Sequence, residues 1–84
     1  MKVNLKLSKE QKNTIKPLLQ KWQNANPIVK QIINEIDREE IEAKYCGSLS
    51  AILLQEAYNN ITNMTRYNQL IELHKYIIDK TFNN

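Results

Sequence analysis

The sequence predicts an all-α fold: a compact bundle of four to five short helices with an extended N-terminal lead-in, forming one domain over residues 1–84. Three observations carry that expectation. Apolar residues recur at helical spacing in successive segments. One glycine and two prolines leave too few turn residues for hairpins or Greek keys. A length of 84 residues, 42% hydrophobic and 25% charged, suits one small globular domain and not a disordered chain. A core this small contributes roughly 3–5 kcal/mol net. The lone cysteine allows no intrachain disulfide, so the fold must rest on helix packing, self-association or a partner.

Val3, Leu5 and Leu7 alternate with polar residues as a strand would, but no second strand is evident to pair with them. Residues 1–7 are therefore expected to lie extended, their apolar side chains against the bundle. Ser8-Lys9-Glu10-Gln11 fits a capping box, and Ile15, Leu18, Leu19 and Trp22 define the apolar face of the helix it opens. Pro17 removes a backbone donor and predicts a kink or division near Thr14–Lys16. Asn24-Ala25-Asn26-Pro27 marks a boundary, with Asn26 as cap and Pro27 at the first helical position. Ile28, Val29, Ile32, Ile33 and Ile36 form the next apolar face. Ile41 lies five positions beyond and breaks the period. A second capping box at Asp37 and Glu40, stapled by Ile36 and Ile41, predicts a short helix from Asp37 to about Cys46, ended by Gly47.

Ser48 then caps a helix in which Leu49, Ile52, Leu53 and Ala57 fill one face and Leu54 and Ile61 widen it, as expected of a central packing helix. Asparagine and threonine are weak helix formers, so a break is expected within Asn59–Thr65, with Asn63 or Thr65 capping the last helix. One continuous helix from Leu49 to Phe82 is the rival expectation. The last helix turns Tyr67, Leu70, Ile71, His74, Ile77 and Ile78 inward and frays at Asn83-Asn84.

Charge and chemistry exclude more than they assign. Net charge is +3, with Lys2, Lys6, Lys9, Lys12, Lys16 and Lys21 at one end and Glu35, Asp37, Glu39, Glu40, Glu42 and Glu56 in the middle. This division suggests a dipolar surface or head-to-tail contact between copies, and leaves a homodimer open. His74 and Cys46 are each single, whereas structural zinc needs four such ligands and catalytic zinc three. Both are expected as packed core residues. Asp37, Glu39, Glu40 and Glu42 lack the pattern of a calcium loop and are expected to place negative charge in a first helical turn. No phosphate loop, dinucleotide fingerprint or nucleophile elbow occurs. The expectation is therefore no enzyme, no catalytic residue, no cofactor and no metal. The lone cysteine suits a reducing, cytoplasmic setting, and neither a signal sequence nor a run long enough to span a membrane is evident. Abundant Asn, Ile and Lys point to an AT-rich genome, such as low-GC bacteria and their phages or plasmids.

The expected function is binding: a small module, encoded by a phage or other mobile element, that regulates or inhibits a larger macromolecule through protein–protein contact. Tyr58, Leu73, Tyr76 and Lys80 are the expected interface, because the helical period turns them outward. The same outward side chains can instead cover the N-terminal segment. Lys9, Lys12 and Lys16 form a stripe suited to an acidic partner or a phosphate backbone, or simply to solvent. The alternative is a helix-turn-helix DNA-binding regulator over residues 38–60, with helices about 38–46 and 49–60 and with Ser50, Gln55 and Asn59 reading bases. Against it, that second helix carries no lysine or arginine. A bacteriocin-immunity-type bundle is the third reading. Glu56, on the apolar side of its helix, is either a face edge whose carboxylate reaches water or a buried carboxylate paired with a cation or His74.

Overall fold

Residues 1–5 extend because a partner strand does exist. The computed structural model describes residues 1–82, and the expected fraying at Asn83-Asn84 lies outside them. Strand β1 (Lys2–Asn4) is followed by helices α1 (Lys9–Trp22) and α2 (Ile28–Glu35), strand β2 (Glu40–Glu42), and helices α3 (Ala43–Asn59) and α4 (Met64–Phe82). The fold is an all-α bundle of four helices with one small antiparallel ribbon. In that ribbon Lys2 lies opposite Glu42, Val3 opposite Ile41 and Asn4 opposite Glu40. The ladder continues through Leu5 N donating to Glu39 O at 3.0 Å and Ala43 N donating to Met1 O at 2.9 Å.

This ribbon corrects the expectation of a short helix over 37–46. Glu40-Ile41-Glu42 alternates as a strand does, and pairing with β1 satisfies its backbone while Val3 and Ile41 enter the core together. Ile36 and Ile41 are both buried, but a turn and a strand place them there, not a capping box. The acidic residues accordingly sit in a turn and a strand, not at a helix N-terminus. Gly47 does not end a helix either: α3 runs through it from Ala43 to Asn59, and its φ is not positive. Ser48 is consequently no cap; its hydroxyl donates to Lys44 O at 3.2 Å within the helix.

Other local signals hold. Ser8 Oγ accepts from Gln11 N at 3.1 Å and Gln11 Oε1 from Ser8 N at 2.8 Å, a complete capping box. Asn26 Oδ1 accepts from Ile28 N at 3.2 Å, but α2 begins at Ile28 with Pro27 at its N-cap and no side-chain cap, one residue later than expected. Asn63 Oδ1 accepts from Arg66 N at 3.2 Å, so the last helix starts where the asparagine cap predicts and the continuous-helix alternative fails. Pro17 does not divide α1. It lies exposed, as does Asn13 one turn earlier, whose carbonyl loses its helical donor on the solvent side, where water can replace it.

α3 is the central packing helix. Leu49, Ile52, Leu53 and Ala57 are buried on it, and its principal neighbour is α4, with α2 and both strands closing around the rest. The buried line of α4 is Leu70, Leu73 and Ile77, with Tyr67, Ile71, His74 and Ile78 only half-buried on its flanks. That line is rotated from the expected one, because the N-terminal arm covers the side of α4 that the sequence leaves facing solvent. His74 Nδ1 lies 2.8 Å from Ser50 O, and Cys46 is buried, as expected of packed residues. Burial pushes the Cys46 thiol up, against a weaker opposing hydrogen bond with Thr81.

Candidate protein-binding surface

Of the four expected interface residues only Tyr58 is exposed. Leu73 is buried in the core. Tyr76 is half-buried and its hydroxyl donates to Leu5 O at 2.7 Å, so this tyrosine covers the N-terminal segment. Lys80 lies over the Tyr76 ring at 5.7 Å from its centroid. Tyr58 is exposed as expected, at 55%.

The lysine stripe is partly neutralised within the chain. Lys16 Nζ reaches Asp37 Oδ1 at 3.0 Å and Lys12 Nζ reaches it at 3.7 Å, while Lys9 is exposed. The Lys16 hydrogen bond, outweighing desolvation and aided by the charges of both lysines, holds the Asp37 carboxyl below its usual value. The basic end and the acidic middle thus meet intramolecularly. Of the base-reading candidates, Ser50 is buried with its hydroxyl on Gly47 O at 2.8 Å, and Gln55 donates to Asn59 at 3.3 Å on the surface. With Ser50 inaccessible and no turn at Gly47, residues 38–60 do not form a helix-turn-helix.

Glu56 is the buried form of the two readings. It is 3% exposed, and its Oε1 accepts from Lys21 Nζ at 2.7 Å and from Trp22 Nε1 at 3.0 Å. Burial pushes this carboxyl up, but the bonds from Lys21, Trp22 and Asn59 together with the Lys21 charge outweigh it and hold the net value below the ordinary one. The cluster ties the end of α1 to α3. It thereby sets Trp22 at the edge of a shallow groove shared with Ala51, Ile52 and Gln55.

The exposed face of α3 leads from that groove to the α3–α4 connection. Gly47, Ala51, Gln55 and Tyr58 are exposed along it. Beyond the helix end Ile61 is 59% exposed, and Met64, opening α4, is 58% exposed. From Cys46 to Ile71 only Glu56 and Arg66 are charged, and Glu56 is buried. The amides nearby are partly committed to structure, Asn60 Nδ2 donating to Glu56 O at 2.8 Å and Asn63 capping α4. Tyr58, Ile61 and Met64 thus face solvent among exposed but uncharged Asn59, Thr62, Asn63 and Thr65, with Arg66 half-buried beside them. A charge-depleted setting with aromatic and methionine side chains is a mark of protein interfaces.

Helical spacing assigns Ile61 to a flank of the core and gives Met64 no role beyond the continuous-helix alternative. The available signal is the charge-poor run itself, within a chain that as a whole is one-quarter charged. Among the described residues no group of three or more His, Cys, Asp and Glu could hold a metal ion, and no helix is long and apolar enough to cross a membrane. No protein-family model matches the chain, and no curated protein or solved structure matches it either.

Proposed function

We propose that this chain is a non-enzymatic binding module that regulates or inhibits a larger macromolecule by covering part of its surface with the α3–α4 end. The observation that carries this reading is the exposure of Tyr58, Ile61 and Met64 together within a charge-depleted stretch. Large exposed apolar side chains grouped at one end of a small domain mark interaction sites, whereas singly scattered ones do not. An origin in a phage or other mobile element is part of the same proposal and rests on the Asn-, Ile- and Lys-rich composition.

Affinity capture from the native host with the wild-type chain, Tyr58→Ala and Ile61→Asp tests it. Both substitutions leave the core untouched, so far-UV circular dichroism should not change. Each should weaken capture of a specific partner by about tenfold or more, as loss of an interface anchor does. Equal capture by all three chains refutes the assignment of the surface. A salt-dependent shift of arbitrary duplex DNA near physiological ionic strength would refute the protein-binding reading in favour of a DNA-binding regulator.

A further inference from the structure

We propose that the arm formed by residues 1–5 exchanges between two copies of this chain, giving a domain-swapped dimer whose hinge is Lys6-Leu7. Lys6 has φ 44°, the one positive φ at a non-glycine position among the described residues. Its Cβ is crowded by the backbone in that conformation, and lysine lacks the short polar side chain by which asparagine or aspartate offsets the crowding. Rigid structure flanks it on both sides. The ladder ends with Leu5 bonded to Glu39, and the capping box fixes Ser8 at the start of α1. The change of direction between them falls on two residues.

Most of what holds the arm lies on the far side of the hinge; within the hinge itself Lys6 O accepts a long bond from Tyr76 Oη at 3.5 Å and Leu7 packs half-buried against the core. Val3 and Leu5 are fully buried, β1 pairs with β2, Tyr76 Oη donates to Leu5 O, and Ala43 N donates to Met1 O. The arm packs against β2, α3 and α4. Each of these contacts can be remade unchanged by the arm of a second copy, in the same register and with Lys2 still opposite Glu42. Exchange lets the hinge extend and releases Lys6 from the left-handed region. A short hinge under strain favours such exchange, and reciprocal exchange closes a two-fold dimer instead of growing a filament. The inference is independent of the α3–α4 surface.

The test uses the double variant Asn4→Cys/Glu40→Cys, whose new thiols face each other across the ribbon, while the native Cys46 stays buried. The concentrated protein is separated by gel filtration, and each fraction is oxidised and run on a non-reducing denaturing gel. In an exchanged dimer every new disulfide joins two chains, so the dimer fraction stays dimeric on the gel and the monomer fraction stays monomeric. A dimer that falls to monomers on the gel has some other contact and overturns the proposal.

In the otherwise native chain, Lys6→Pro fixes φ near −65° and forbids the closed hinge, whereas Lys6→Gly removes its strain. Sedimentation should show the association constant raised about tenfold or more by proline and lowered by a similar factor by glycine. Equal association in all three chains, or no dimer at any accessible concentration, overturns the proposal. If Lys6→Pro does not fold, the glycine variant and the gel decide.

Discussion

The Glu56 cluster predicts a stability effect that can be worked out from its geometry. Glu56→Gln keeps the shape of the side chain, and its carbonyl oxygen can still accept from Lys21 and Trp22. What it loses is the charge on the acceptor. A hydrogen bond to a charged group contributes about 1.5–3 kcal/mol and a neutral one about 0.5–1.5, so the Trp22 bond, which becomes neutral, loses about 1–1.5 kcal/mol. The Lys21 bond keeps its charged donor and loses little more, because the Lys21 side chain is 60% exposed and water screens its charge. A loss of about 1–2 kcal/mol is expected at neutral pH. Glu56→Leu also leaves the Trp22 indole N–H without its acceptor, which raises the loss to about 2–4 kcal/mol.

Urea unfolding followed by the fluorescence of the single tryptophan measures both changes, with the probe bonded directly to the altered group. The pH dependence adds a second check. In the folded chain the Glu56 carboxyl lies below its ordinary value of 4.5, so its stabilisation is present above that value and is lost as pH falls through the folded one. Asp37 is shifted in the same direction but is common to both proteins and cancels from their difference. The gap between wild type and Glu56→Gln should therefore narrow below about pH 4.5. A change within a few tenths of a kcal/mol at neutral pH, as at an exposed site, or a gap that does not narrow in acid, refutes the reasoning.

Gly47→Ala should stabilise the chain by about 0.5–1 kcal/mol in thermal or urea unfolding, because Gly47 is inside a right-handed helix and an added Cβ meets nothing within 4 Å. Destabilisation there would restore the helix-ending glycine. Leu53→Ala removes a fully buried side chain from the middle of α3 and should cost about 2–5 kcal/mol by urea titration; a loss below 1 kcal/mol would mean α3 is not central. Tyr76→Phe deletes the donor to Leu5 O and should cost about 0.5–1.5 kcal/mol, with faster amide hydrogen exchange in residues 1–5 than elsewhere. Uniform exchange would show that Tyr76 does not hold the arm.

The helices were legible where their signals are local. The capping box at Ser8 and the cap at Asn63 each depend on residues within three positions, and both hold. The ribbon was not legible, because its two strands are separated by two helices and each is three residues long. Glu40-Ile41-Glu42 acquires strand character only when Lys2-Val3-Asn4 arrives, and neither segment carries enough pattern to announce the other. The same event explains one error on α4. Once the arm is paired it needs a covering, and Tyr76 supplies it, so a side chain that a lone helix would turn to solvent becomes half-buried.

Gly47 shows why composition around a glycine cannot by itself separate a turn from a helix. Cys46-Gly47-Ser48 carries both a helix-ending residue and a capping residue, and as a local fragment either outcome is satisfactory. The tertiary structure decides. Cys46 and Leu49 are both buried, three positions apart, and only an uninterrupted helix keeps them on one face while Ile52 and Leu53 follow in phase. Glycine then costs some helix propensity and leaves the opposite face flat, since Gly47 and Ala51 present almost no side chain to solvent. If partner contact extends along α3 beyond Tyr58, Gly47→Ala will strengthen the fold while Gly47→Gln, which projects into the approach of any partner, weakens capture. A glycine retained only by helix tolerance would accept both changes without loss of binding.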